Sequence, residues 1–213
     1  MNDSAHFGRR FLASSCELLQ RVDVDAVAAV SELLFQAKEN GQRLFFFGNG
    51  GSHTIATHLA ADLGNGTKVG RPGQKLYKAV SLDNPAWLSA LANDGERVFR
   101  ERGHAGDYRH GHDGVFVGQL ENFLEPADVL FAISASGNSR NVVNALLYGR
   151  ERGARSVAMV GFDGGEAARL ADHVILVPTA PGEYGLVEGI CGVVHHLLYE
   201  EARRRERAAA PAR

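Results

Sequence analysis

The sequence predicts an α/β protein in which a mainly parallel sheet carries helices on both faces, with two further helices ahead of it. Three observations carry this reading. Five apolar runs of strand length, at 44–47, 80–82, 129–133, 157–160 and 174–177, are continuous rather than alternating, as strands covered on both faces are. Helical spacing fills the intervals, so the strands are joined by crossovers, which are right-handed in parallel sheets. The first and third runs end in Gly- and Ser-rich turns that open at once into helices.

Along the chain, residues 4–21 place Phe7, Phe11, Leu12, Leu18 and Leu19 at roughly helical spacing. Residues 24–39 repeat the pattern with Val24, Val27, Val30, Leu33 and Leu34, and Gly41 supplies a C-terminal stop. These two segments make an N-terminal helical pair within residues 1–40. Further helical stretches lie at 52–63, 84–92, 115–124, 139–152 and 165–171, and a last helix at about 185–205. Residues 206–213 read as a frayed polar tail. Residues 95–114, polar, Gly-rich and holding three of the nine histidines, read as a long inserted loop. No repeat or linker divides the chain, so residues 1–213 are read as a single domain.

Composition narrows the function. Apolar residues make up 45%, enough for a sizeable core, and the formal charge of −2 gives no reason to expect nucleic acid or an anionic membrane as partner. Cys16 and Cys191 are the only cysteines and stand far apart, which argues against a disulfide framework and for the cytoplasm. No apolar run approaches the roughly 20 residues needed to span a bilayer.

The two turns carry the chemistry. Gly48-Asn49-Gly50-Gly51-Ser52 follows the first strand, and Ser134-Ala135-Ser136-Gly137-Asn138-Ser139 follows the third. Both fall at the carboxyl ends of parallel strands, the edge where open α/β sheets hold ligands. Glycines admit a ligand close to the backbone, free amides at a helix start attract an anion, and the serines add hydroxyl donors. A phosphate is the natural guest, although Ser and Asn that merely cap helices would look the same in either loop alone. Neither loop matches the GxxxxGK[ST] or GxGxxG pattern, which disfavours ATP and NAD.

These residues resemble the sugar isomerase (SIS) domain family, in the branch of the phosphoheptose isomerases. The resemblance extends through FFFGNGGSHTIATHLAADL, Arg71-Pro72-Gly73, Asn93-Asp94, ISASGNSRNV, GFDGG at 161–165 and the last helix with its histidine. It implies a flavodoxin-like three-layer αβα sandwich around a five-stranded parallel sheet, assembled as a homotetramer with shared sites. It implies aldose–ketose isomerisation of a sugar phosphate such as sedoheptulose 7-phosphate. Ser52, Ser134, Ser136 and Ser139 would hold the sugar phosphate beside Gly50, while Asn49 and Asp94 would line the sugar. The catalytic pair would be Asp62, where the family usually has Glu, and His195. In some members zinc is held by the equivalents of His58, Asp62, a glutamine and His195.

Isomerisation through an enediol(ate) needs one group to remove a carbon-bound proton and another to manage the oxygens, roles that a carboxylate and an imidazole suit. His58 lies four residues before Asp62 and shares its helix face. Glu188, seven residues before His195, shares that residue's face and is a candidate substrate contact. The sequence also departs from the family. Val187 stands at the glutamine position, Gly66 where an arginine is common, and Tyr184 in place of an aspartate. These changes point to a variant long-chain sugar phosphate. The alternative is a non-catalytic SIS protein that binds a phosphosugar or a replication initiator. His196, turned about 100° from His195, reads as a core or interface residue, as do Cys191, Trp87 and Phe45 to Phe47. His104, His110 and His112 read as residues of a polar loop, with metal binding the less favoured reading.

Overall fold

The computed structural model describes residues 3–102 and 111–209, with side chains left aside at 94–102. A five-stranded, all-parallel sheet is formed by β1 (Arg43–Gly48), β2 (Lys78–Ser81), β3 (Val129–Ser134), β4 (Arg155–Gly161) and β5 (His173–Val177), in the order β2-β1-β3-β4-β5. Eight α-helices surround it among the described residues: α1 (Asp3–Gln20), α2 (Val24–Glu39), α3 (Gly50–Ala61), α4 (Pro85–Arg102), α5 (Val115–Phe123), α6 (Arg140–Glu151), α7 (Gly165–Leu170) and α8 (Tyr184–Ala208).

The continuous apolar strands divide cleanly between two cores, because successive side chains of a strand leave opposite faces. Leu44 and Phe46 of β1 join Phe131, Ile133, Met159 and Ile175 beneath α2, α3 and α8. Phe45 and Phe47 join Leu130, Ala132, Ala158 and Val160 beneath α5, α6 and α7. Phe46 stacks on Phe131 at 5.3 Å and Phe47 tilts onto Phe116 at 5.1 Å, so the two cores are aromatic on either side of one strand pair. Trp87 is only half-buried, at the rim of the second core against Phe123.

Three expectations need correction. The inserted loop at 95–114 is helical for its first part, since α4 continues to Arg102; His104 and His110 lie outside the described residues. Among the residues of that helix whose side chains are described, Leu88 and Leu91 pack against the second core and Trp87 against Phe123. The tail does not begin at 206. α8 reaches Ala208, and Glu206 is fully buried, paired with Lys38 of α2 and accepting from Arg71 at 3.1 Å and Gln74 at 2.9 Å. The third helix ends early in regular form and widens into a π turn over Asp62–Gly66.

The chain leaves β1 for the edge strand β2 and then returns across β1 to β3. The strand order therefore reverses between β1 and β3, the point where such sheets open a crevice at their carboxyl edge. Gly48 pairs with Ile133 there, which brings the two turns side by side.

Candidate active site

The phosphate-type loops meet through two amides. Asn49 caps no backbone group of α3; its side chain instead exchanges hydrogen bonds with Asn141, Nδ2 to Oδ1 at 2.9 Å and back at 2.8 Å. Asn141 is buried in the first turn of α6 and is a residue that sequence reasoning did not single out. Two positions earlier, Ser139 is the N-cap of α6 but makes no side-chain cap bond, so its hydroxyl is uncommitted at the helix start. The first-turn amides of a helix lack intrahelical acceptors, which makes this end receptive to an anion.

Ser134 is buried and accepts from the Gly137 amide at 3.1 Å, and Ser136 accepts from Asn138 at 3.2 Å, so the loop holds itself closed around its own donors. Gly137 has φ +63°, and a β-carbon there would stand 2.0 Å from the Gly164 carbonyl; only glycine fits this turn. Asn138 ties the loop to the start of α7 by accepting from the Glu166 amide at 3.0 Å. Ser52 is buried in the first turn of α3. Gly50 and Asn49 border a cavity of about 270 Å³ that His53, Leu88, His112 and Phe116 also line, so His112 faces this cavity. Asp94 belongs to α4, and its side chain lies outside the described residues.

Glu188, on the first turns of α8, sets its carboxylate directly over Gly51. A β-carbon at 51 would lie 2.3 Å from its Oε2, so the third glycine of the turn makes room for this acid.

The other candidates form one cluster. His58, Asp62, His195 and His196 present ligand atoms that all lie within 4.8 Å of one another, the one such group found among the described residues. Asp62 Oδ2 stands 3.5 Å from His58 Nε2 and 3.6 Å from His195 Nε2. The His58 and His195 ring centroids are 4.6 Å apart. His195 is 2% exposed, and neither ring nitrogen has a hydrogen-bond partner; Asp62 Oδ2 is buried and equally unsatisfied. Burial pushes the His195 imidazolium down to about 4. The rings of His196 and His58 add to this, and the Asp62 carboxylate opposes it. The imidazole is thus neutral near pH 7, a state in which it can take a proton or bind a metal.

Buried polar atoms left unpaired are rare and ask for an occupant. Two donors of a tetrahedral zinc site at ~2.1 Å from the ion are about 3.4 Å apart. The 3.5 and 3.6 Å separations at Asp62 are too long for good hydrogen bonds and close to that edge length. Imidazole nitrogens with one carboxylate are also a zinc-type donor set. The residues fit the ion.

His196 is exposed, which excludes the core half of its core-or-interface expectation, and its ring lies 3.8 Å from that of His195. Val187, at the family's glutamine position, is buried and packs its methyls against Gly161 at the end of β4. Gly66 leaves room for Tyr199, whose hydroxyl donates to the Gly66 carbonyl at 3.4 Å. Tyr184 is exposed at the start of α8, edge-on to Phe162.

A sequence model of the SIS domain matches residues 10–161. The phosphoheptose isomerase of Geobacter sulfurreducens is 34% identical over 190 residues, 86% of this chain and 91% of that protein. The lincomycin biosynthesis protein LmbN of Streptomyces lincolnensis is 36% identical over 199 residues, which span 89% of this chain and 66% of LmbN. Among solved structures, phosphoheptose isomerase GmhA from Neisseria gonorrhoeae superposes with a TM-score of 0.74 at 27% identity, covering 94% of this chain and 96% of that one. With its five-stranded parallel sheet and its paired Gly/Ser turns, the chain belongs to the SIS-domain family, in the branch of the phosphoheptose isomerases.

Proposed function

We propose that the protein is an aldose–ketose isomerase of a sugar phosphate, moving a proton between adjacent carbons through an enediol(ate). The observation that carries this is the approach of Asp62 Oδ2 to a buried, neutral and unpaired His195. A protein that only bound its ligand would gain nothing from leaving two such groups unsatisfied, and this favours the enzyme over a phosphosugar-binding or initiator-binding protein.

In this reading the SASGNS loop holds the phosphate with Ser134, Ser136, Ser139 and the α6 amides, aided by Ser52. Asn49 and Gly50 line the sugar beside the cavity with Glu188 of α8, and the family resemblance assigns Asp94 to the same role. The Asp62 carboxylate takes the proton from one carbon and returns it to the next. The neutral imidazole of His195 accepts a proton from one sugar oxygen and delivers it to the other, so each group ends as it began. In place of these proton-transfer roles, His58, Asp62 and His195 would hold a zinc ion in metal-loaded protein, where it would supply positive charge that favours the developing enediolate.

The substrate class is a sugar phosphate of seven carbons or more. Sedoheptulose 7-phosphate is the first compound to test, because two of the proteins similar to this chain are named phosphoheptose isomerase. A longer homologue is the second, because the site departs at Val187, Gly66 and Tyr184 and the similar LmbN bears the name of an antibiotic pathway. The working form is a cytoplasmic homotetramer. Support comes from an uncovered apolar face, with Phe7 and Leu12 of α1 each about two-thirds exposed and Val193 and Leu197 of α8 about half exposed. No helix among the described residues is long and apolar enough to cross a membrane.

The test is incubation with sedoheptulose 7-phosphate in deuterium oxide, followed by NMR. Appearance of the aldose with deuterium at the carbon next to the carbonyl is the expected result. No exchange with this ketose or its eight-carbon homologue, in protein that binds both, would favour the binding-protein reading.

A further inference from the structure

We propose that His196 is a fourth protein donor to the cation site, an assignment that rests on the reading of His58, Asp62 and His195 as metal ligands. The ring of His196 faces both other imidazoles, 3.8 Å from His195 and edge-on to His58 at 5.2 Å. Its Nδ1 lies 2.9 Å from the Gly192 carbonyl one turn earlier. A carbonyl oxygen only accepts, so Nδ1 carries the proton and Nε2 keeps its lone pair. Metal-binding histidines are held in this way, with the second nitrogen donating to a backbone carbonyl that fixes ring and tautomer.

The other donors on this stretch of α8 are committed elsewhere or inert. The Glu188 carboxylate sits over Gly51, outside the cluster, and Val187 offers no donor atom. Cys191 is buried, and burial pushes its thiol up to about 12, far from the thiolate that binds metal. His195 and His196 are adjacent in sequence, and on a regular helix adjacent side chains diverge by about 100°. His58 reaches across from α3 to both of them, so three imidazoles and one carboxylate gather on a divalent first-row cation such as zinc.

The experiment strips the protein with a chelator and titrates zinc against a chromophoric competitor. In parallel it records the visible ligand-field bands of the cobalt-loaded form, for wild type, His58→Ala, His196→Ala and His196→Gln. Loss of an outer-shell partner alone weakens metal binding about 10–100-fold. His196→Ala should cost at least as much and change the cobalt spectrum, with His196→Gln partly restoring both. Because His196 is exposed, the metal-free variants should melt as wild type does. Should either variant misfold, the other carries the comparison. If wild type binds tightly, His58→Ala loses the metal and His196→Ala matches wild type in affinity and spectrum, the fourth-donor assignment falls while the underlying site stands. If wild type itself binds neither ion, both fall.

Discussion

Asn49 and Asn141 join the two ligand loops through a reciprocal pair of amide hydrogen bonds of 2.9 and 2.8 Å. The partners come from opposite sides of the strand-order reversal, so the crevice is held at a fixed width by its own polar rim. Asn141 is buried, and its Oδ1 also accepts from the Val142 amide at 3.0 Å. Asn141→Ala should cost about 2 kcal/mol, two net hydrogen bonds with one amide left unpaired. Denaturant unfolding measures the loss. A weaker phosphate-induced rise in melting temperature should accompany it, and a variant as stable and as responsive as wild type would refute the clamp.

Phosphate or a phosphosugar should stabilise the native protein in proportion to the logarithm of its concentration once the site is filled. Ser136→Ala together with Ser139→Ala should abolish most of that thermal shift without lowering the melting temperature of the free protein, because both hydroxyls stand at the open end of the loop. An unchanged shift would mean that the anion binds elsewhere.

Asp62→Asn and His195→Ala should each reduce kcat by a factor of about 10² or more, the scale of a lost general acid or base. The double variant should lose little beyond the worse single one, since groups acting as a unit are non-additive. Rates that multiply, or either single variant retaining wild-type turnover, would separate the two residues mechanistically.

In metal-stripped protein, His195 should link stability to pH. Its imidazole titrates at about 4 in the native state, against an ordinary value near 6.5 in the unfolded chain. Between these values the unfolded chain binds the extra proton, so stability falls as pH is lowered through that window, by on the order of 3 kcal/mol in full. Urea midpoints at pH 7, 5.5 and 4.5 should drop more steeply for wild type than for His195→Gln. Parallel slopes would show that the ring is not held neutral.

Lys38 and Glu206 form a buried pair between α2 and α8. Lys38→Met leaves Glu206 with only Arg71 and Gln74 and should destabilise by about 3–5 kcal/mol. Adding Glu206→Leu should recover part of this, because the second change removes the uncompensated charge. A double variant worse than the single would overturn the account.

Much of this was legible in the sequence, and what escaped had a common cause. The five apolar runs became the five strands because burial on both faces removes alternation, and the GNGGS and SASGNS turns showed themselves through glycine and serine at strand ends. That His58 and Asp62 share a face was legible from their four-residue spacing. By contrast, the continuation of α4 to Arg102 runs through a Gly- and charge-rich stretch that reads as a loop. The burial of Glu206 depends on a lysine 168 positions away in the chain. The nearness of His196 to the cluster escaped because helix geometry alone turns it from His195, whereas the ring of His58 bridges the two. Contacts between distant elements leave no local period.

Helix α8 also sets a limit on how this protein can change. Glu188 over Gly51, His195 in the histidine–aspartate cluster and Glu206 against Lys38 are separated by seven and eleven residues. At 3.6 residues per turn these spacings are about two and three whole turns, so the three contacts fall along one line of the rod. A single inserted or deleted residue between them would swing the far portion by about 100° and withdraw a contact that no side-chain replacement could restore. Descendants of this sequence can therefore exchange the exposed residues of the helix, but cannot alter its length inside 188–206 without losing one of these contacts.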